Sequence, residues 1–258
     1  MTTWEAIILA VVEGLTEFLP VSSTGHLSMA KTLLGVNSSF SETYIIAIQF
    51  GAILSVVSLY PRQFFSFDFT FYLRLIVGFI PAAVLGYLFD DQLELLLGMP
   101  WVVPVMLISV GMFLVFADRF FPGTDLDDLQ NVSNRQAFLA GLSQCAAMIP
   151  GVSRSAASII GGMAAGMNRN TAAAFSFFLA VPTLAAAGLY KVYKNADQLL
   201  DQNITHLLLG NLVAFIVAYF AMKGFVQFLK KYGFRYFGWY RIIAGAAFLI
   251  WLYWGGIN

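Results

Sequence analysis

Two carboxylates, a run of three hydroxyls and an imidazole fall within the stretch Glu13-Gly-Leu-Thr-Glu17-Phe-Leu-Pro20-Val-Ser22-Ser23-Thr24-Gly-His26. Glu13 and Glu17 stand at i and i+4, so on a helix they share one face about a turn apart. Such a pair suits a hydrogen-bonded structural couple sharing one proton, a hard-cation site for Mg²⁺ or Ca²⁺, or an acid/base pair whose proton affinities are driven apart by repulsion. The residues by themselves leave these open. His26, after a Ser-Ser-Thr-Gly break and within reach of Glu17, is a candidate acid, base or nucleophile near neutral pH, against the alternative of a satisfied core histidine. His206 reads as solvated surface.

A second cluster, Ser153-Arg154-Ser155, follows Pro150-Gly-Val. Arg154 could pair with an acidic side chain for structural reasons alone. It also offers a planar fork of donors for phosphate, flanked by hydroxyls and by the N–H groups and positive dipole end of a helix N-terminus. Cationic donors facing carboxylates and an imidazole suit phosphoryl transfer, with a divalent cation offsetting the repulsion between glutamate and a polyanionic substrate. Gln49 and Gln144 are further interior polar candidates. Phe175, Phe177 and Phe178 read as packing or lipid-facing.

These groups sit in a membrane protein. Of 258 residues 59% are hydrophobic and 11% charged, against about 25% charged in an ordinary soluble domain. Net charge is zero and there is no basic stripe for nucleic acid; the single cysteine, Cys145, excludes an intrachain disulfide, and no Cys/His spacing suggests zinc. The first residues lack a basic leader region, so they are expected to remain in the mature fold. A carboxylate in such a chain should face protein or a water-filled cavity, since a charge at the bilayer centre costs about 2.5–3.5 kcal/mol on insertion scales.

The elements that must position these groups follow from hydropathy and breaks. Residues 4–12 reach Glu13 too soon to span, which predicts a half-helix; after the break at Pro20, a second short helix begins with Ser22 or Ser23 as N-cap, runs to about Leu34 and stops at Gly35 and Asn37. Two short helices joined by a polar break make a re-entrant hairpin, tolerated at membrane depth only against protein or a cavity. Full spans are expected over Thr43–Tyr60, Phe69–Phe89 with a kink at Pro81, and Trp101–Ala117. After a polar stretch the pattern restarts: Gly141-Leu-Ser-Gln144 echoes Gly14-Leu-Thr-Glu17, and Pro150-Gly-Val-Ser153-Arg-Ser echoes Pro20-Val-Ser22-Ser-Thr. That predicts a second hairpin over 136–168 and spans over Asn170–Tyr190, Asn203–Met222 and Ile242–Asn258.

The expected fold is an all-α integral membrane protein with an inverted-topology repeat, each half a re-entrant hairpin plus three transmembrane helices: six spans and two hairpins in one membrane domain, 1–258. The first repeat covers 1–120, the second 136–258, and 121–135 is a cytoplasmic linker. Three spans per half invert the second half, so the hairpins meet near the midplane. If the termini lie on one side, that side holds Lys31, Lys191 and Lys194. The other holds Arg62, Arg74, Arg119, Arg135, Arg169, Lys223, Lys230, Lys231, Arg235 and Arg241 and is assigned to the cytoplasm. Both termini are then periplasmic or extracellular, and Arg154 belongs to neither surface.

Both motifs resemble the signatures of the bacterial undecaprenyl-diphosphatase family, the bacitracin-resistance phosphatases, along the whole chain including Arg135-Gln-Ala-Phe before the second hairpin. The resemblance implies hydrolysis of undecaprenyl diphosphate to undecaprenyl phosphate and phosphate at the outer face of the bacterial plasma (inner) membrane, recycling the lipid carrier of cell-wall synthesis, with a divalent cation, Mg or Ca, supporting activity. By position it implies Glu17, His26, Arg154, Glu13 and Ser23 as catalytic groups and Glu13 and Glu17 as metal ligands. It also implies Ser22, Thr24, Ser153, Arg154 and Ser155 as contacts to the diphosphate. The attacking atom stays open between Ser23, His26 and a glutamate-activated water. The partners expected are an isoprenoid lipid diphosphate and the bilayer, with no nucleic acid and with room for a homodimer. Inverted repeats with broken helices also build secondary transporters, so a lipid-phosphate flippase is the rival reading. Under the phosphatase reading, Glu17→Ala and Arg154→Ala are expected to lose turnover while keeping the fold.

Overall fold

The computed structural model describes residues 1–36, 39–121, 129–194 and 204–254, and every regular element among them is helical. Helix α1 runs Thr3–Thr16, opened by a capping box in which Thr2 and Glu5 exchange side-chain and backbone hydrogen bonds. Helix α2, Ser23–Leu34, is capped by Ser22 and ends on Gly35 in the left-handed region, φ 67°, where no side chain has to be accommodated. Asn37 lies outside the described residues. Helix α3 covers Ser39–Leu59 and α5 Phe69–Leu88, with Pro81 inside α5 on its buried face; α4, Pro61–Phe65, joins them. The short helix α6, Asp90–Leu97, leads to α7, Val102–Phe120.

In the second half, α8 covers Asn134–Gln144 behind a Ser133/Gln136 capping box, a 3₁₀ turn covers Cys145–Met148, and α9 covers Arg154–Ala164. Helix α10 is Arg169–Lys194, α11 Ile204–Tyr232 and α12 Arg235–Tyr253. The two short-helix pairs are as expected, the first reaching further toward Glu17 than residues 4–12.

Among the described residues, five helices are long and apolar enough to cross a membrane: α3, α5, α7, α10 and α11. The expected sixth span, Ile242–Asn258, falls in α12 and runs beyond the described residues. Helix α12 has 19 residues but carries Arg235 and Arg241, and it starts at Arg235 rather than Ile242. Helix α11 is also longer than the span expected from Asn203 to Met222, with 29 residues reaching Tyr232. Its apolar face continues through buried Phe225 and Leu229, past the point where Lys223 ended the hydropathy window.

The main core lies where the first break, α3–α5 and α10 converge. Phe18, Phe177 and Phe178 are buried there, with Tyr60, Phe64 and Phe71 meeting Phe178 edge-on at centroid distances of 5.0–5.7 Å. Of packing and lipid-facing, the structure gives Phe175, Phe177 and Phe178 the packing role. Helix α1 packs on α11, α8 on α5, α7 on α12, and α3 on both α10 and α11. Each short-helix pair thus has a long helix packed along it, α11 on the first and α5 on the second.

Candidate functional site

Each hairpin turns at a serine held in an unusual conformation. Ser22 has φ 72°, ψ 96° and Ser153 has φ 81°, ψ 119°, both far from what an L-residue prefers. Strain of this kind costs of order 1–3 kcal/mol per residue and persists only where surrounding structure over-determines it. Both hydroxyls serve as N-caps, accepting from Gly25 N at 3.4 Å and Ala156 N at 3.3 Å. The hydroxyls of Ser22 and Ser153 are thus committed to the helix starts. Ser155, 3.0 Å from Ser153 Oγ, donates to the Leu19 carbonyl at 2.8 Å and ties the second hairpin to the first break.

The two helix starts converge on one carboxylate. Ser23, the first residue of α2, donates from Oγ to Glu17 Oε2 at 2.6 Å. Arg154, the first residue of α9, donates from Nη2 to Glu17 Oε1 at 3.1 Å. Arg154 is further held by Nη1 bonds to the Ser176 carbonyl at 2.9 Å and hydroxyl at 3.3 Å, and its guanidinium carbon lies 5.6 Å from the Phe18 ring centroid. Its Nε is buried with no hydrogen-bond partner among the described residues. A buried ion pair built this way is strongly destabilised when one partner is removed, by about 3–5 kcal/mol, because a charge is left uncompensated.

Glu13 lies in the last turn of α1, and Glu17, the C-cap of that helix, donates its N–H to the Glu13 carbonyl at 2.9 Å. The Glu13 side chain is fully buried, and neither carboxylate oxygen has a hydrogen-bond partner among the described residues. No group of three or more His, Cys, Asp or Glu side chains placed to hold a metal exists among the described residues. A pair of carboxylates, one with both oxygens unpartnered, is a donor set of the kind that would hold a hard cation.

His26 does not engage Glu17. Its Nδ1 lies 2.8 Å from the Ser22 carbonyl, which can only accept, so Nδ1 carries the hydrogen; Nε2 lies 2.6 Å from the Tyr240 hydroxyl. Both ring nitrogens are occupied, and the ring stacks on Tyr240 at 5° between planes. Thr24 is exposed. His206, read as solvated surface, lies in the first turn of α11 with Nε2 3.1 Å from Thr3 Oγ1, an exposed contact. Gln144 is buried and bonded through Nε2 to Thr183 Oγ1 at 3.3 Å, while Gln49 is half-buried in α3.

Arg241 was counted with the cytoplasmic surface charges and belongs to none. Its side chain is fully buried and donates only to backbone carbonyls, those of Pro20 and Gly151 in the two breaks and Met106 and Leu107 in α7. Counting basic residues treats every arginine as a surface group, which hid it. The signal available was spacing: Gly238, Arg241, Gly245 and Phe248 share one helical face, the buried one. A Cβ at Gly238 would lie 2.7 Å from the Gly111 carbonyl, so only glycine lets α12 and α7 approach this closely and carry Arg241 to the breaks.

A cavity of about 460 Å³ opens beside the junction between α5, the α8–α9 hairpin and α10. Arg154 and Gln144 line it together with Phe79, Ala83 and Leu184, and it extends to Asp90 and Tyr190. Arg154 and Gln144 stand at one part, mostly apolar walls follow, and Asp90 and Tyr190 stand at the other end: the lining suits a polar head on a hydrocarbon tail.

The sequence model of the family described as bacitracin resistance protein BacA matches residues 6–247. The chain belongs to this family. It is 49% identical over 255 residues to an undecaprenyl-diphosphatase of Flavobacterium johnsoniae, covering 97% of this chain and 96% of that one. It is 45% identical over 273 residues to an undecaprenyl-diphosphatase of Porphyromonas gingivalis, with coverage of 97% and 96%. A protein of the same name from Aquifex aeolicus is 42% identical over 251 residues, covering 96% and 98%. The stretch matched to the BacA family contains both breaks, Glu17, Arg154 and Arg241.

Proposed function

We propose that the protein hydrolyses undecaprenyl diphosphate to undecaprenyl phosphate and phosphate in the bacterial inner membrane. The observation that carries this reading is the Ser23–Glu17–Arg154 junction: a hydroxyl on a carboxylate base, the base oriented by an arginine, and the arginine bordering an apolar cavity. The names of the relatives point to the same reaction and do not favour a flippase.

Arg154 takes the diphosphate by sharing the Nη2 donor now on Glu17. Ser23 Oγ attacks the terminal phosphorus and gives its proton to Glu17. The bond from that phosphorus to the bridging oxygen breaks, and undecaprenyl phosphate leaves. Water then cleaves the Ser23 phosphate ester and releases phosphate. Ser23 is preferred to His26 as the attacking group because both His26 nitrogens are engaged away from Glu17. Thr24, at the exposed edge of the α2 start, and Ser153 and Ser155, behind Arg154, support the head-group site. Glu13 and Glu17 would hold a divalent cation, Mg or Ca, which when bound neutralises charge on the diphosphate oxygens. The first isoprene units lie in the 460 Å³ cavity.

The same reading includes an inverted repeat of residues 1–120 and 136–258. What supports it is that exchanging the halves maps contacts onto contacts. Helix α1 on α11 becomes α8 on α5, while α7–α12 and α3–α10 map onto themselves. Ser22 and Ser153 share a rare φ, and Gly14 and Gly141 both meet backbone of the helix they cross, α11 and α5. For orientation, Thr3–His206 and the Asp90 contacts of Tyr190 and Lys194 gather one set of helix ends on the N-terminal side, and Arg169–Asp118 gathers the opposite set. With Arg241 removed from the count, the basic excess still favours the second side as cytoplasmic. Both termini and the Asp90–Tyr190 end of the cavity then face outward.

The test is phosphate release from undecaprenyl diphosphate by the purified protein, set beside lipid transfer in sealed vesicles. Release without transfer is expected. Transfer with no phosphate released would overturn the reading in favour of the flippase.

A further inference from the structure

Of the fully buried side chains among the described residues, Arg241 is the largest. Among the described residues it has no carboxylate partner, and its guanidinium is spent on the main chain. Nη1 donates to the Pro20 carbonyl at 3.0 Å; Nη2 donates to the Gly151 carbonyl at 2.6 Å and, more weakly, to Met106 at 3.4 Å; Nε donates to Leu107 at 3.4 Å. Pro20 stands two residues before the cap Ser22, and Gly151 two residues before the cap Ser153. One planar group therefore grips the same register point in both hairpins. Three residues beyond each gripped carbonyl come Ser23 and Arg154, the two donors that meet on Glu17.

We propose that Arg241 is a positioning residue for the phosphatase reaction, an inference that rests on the reading above. Its buried guanidinium sets the distance between the two breaks, and so the alignment of Ser23, Glu17 and Arg154. It touches neither the large cavity nor the Glu17 junction, so it acts through the backbone. The planar fork is what the task needs. Lysine carries a single ammonium centre on a flexible stem and cannot hold both carbonyls in a fixed plane. A reacting group misplaced by about 1 Å costs on the order of 10²-fold in rate, and the α12–α7 contact made by Gly111, Gly238 and Gly245 can keep the helices together without that fork.

The experiment compares the wild type with Arg241→Lys and Arg241→Gln. It measures kcat and KM for lipid diphosphate, thermal melting in the same detergent, and the distance distribution between spin labels at Leu33→Cys on α2 and Ala164→Cys on α9, with Cys145→Ser. Both labelled positions are exposed. Expected are a kcat lower by roughly 10²-fold, KM within about threefold, Arg241→Lys recovering part of the loss, and a broader label distance in both variants. A variant that melts like the wild type and turns over within twofold of it overturns the proposal, as does a lost kcat with an unchanged label distance. If neither variant folds, Gly245→Ala takes their place, because a Cβ there meets the Pro104 carbonyl at 2.8 Å and shifts α12 with Arg241 intact; an unchanged kcat in that variant overturns the proposal. A wild type that releases no phosphate would instead sink the phosphatase reading, and the label distances would still decide whether Arg241 aligns the hairpins.

Discussion

Glu17 and Arg154, 137 residues apart in the chain, form a buried ion pair at 3.1 Å that joins the two hairpins. Alanine at either position is therefore a poor probe, contrary to what the sequence suggested: it strands the other charge and is expected to cost about 3–5 kcal/mol of stability. Glu17→Gln and Arg154→Gln should each lower phosphate release by at least about 10²-fold. The double variant should be more stable than the sum of the singles by roughly 0.5–3 kcal/mol, the coupling expected of contacting residues. Melting curves of the four proteins give that number, and strict additivity would mean that the pair contributes nothing to holding the hairpins together.

Ser23 and His26 separate the candidate nucleophiles. Ser23→Ala removes the hydroxyl on Glu17 and should lower kcat by about 10²–10⁴-fold. Tyr240→Phe takes the hydroxyl from His26 Nε2 and leaves Ser23–Glu17 intact, so a loss of less than about tenfold is expected. Should Tyr240→Phe prove as damaging as Ser23→Ala, the histidine side of the site would have to be brought into the reaction.

Glu13 offers the test of the cation. Its carboxylate oxygens are buried and unpartnered, so Glu13→Gln keeps the volume while removing a charged ligand. Titration of phosphate release with Mg²⁺ or Ca²⁺ should show the half-saturating concentration rising by about tenfold or more in this variant. A chelator should abolish wild-type turnover. Turnover that persists in chelator, with Glu13→Gln unchanged, would assign Glu13 to the structure alone.

The cavity beside Arg154 should behave as a tail site. Ala83→Phe narrows it without touching Arg154 or Glu17. Loss of binding common to ground and transition states raises KM and spares kcat, so KM for undecaprenyl diphosphate is expected to rise about tenfold. A short-chain diphosphate, with less tail to place, should show a smaller rise. Equal kinetics for both substrates in this variant would exclude the cavity as the tail path.

Much of this was legible in the sequence because local chemistry dictates it. The breaks at Pro20 and Pro150, a serine cap at Ser22 or Ser23 and a helix opening at Ser153-Arg154-Ser155 follow from backbone sterics and helical periodicity, and the structure puts the caps at Ser22 and Ser153. The echo between the two halves marked Arg154 as an interior charge before any partner for it was visible. What one dimension could not carry was which long-range pairs form. That Glu17 takes a donor from each hairpin, that His26 turns to Tyr240, and that Arg241 leaves the surface to grip both breaks are decided by the packing of α1 on α11, α8 on α5 and α12 on α7. Hydropathy counts charge and apolarity along a segment, whereas the fate of a buried charge depends on which acceptors another segment brings within about 3 Å of it. For Arg241 those acceptors are carbonyl groups, which every residue carries, so only the folded chain could show which ones it meets.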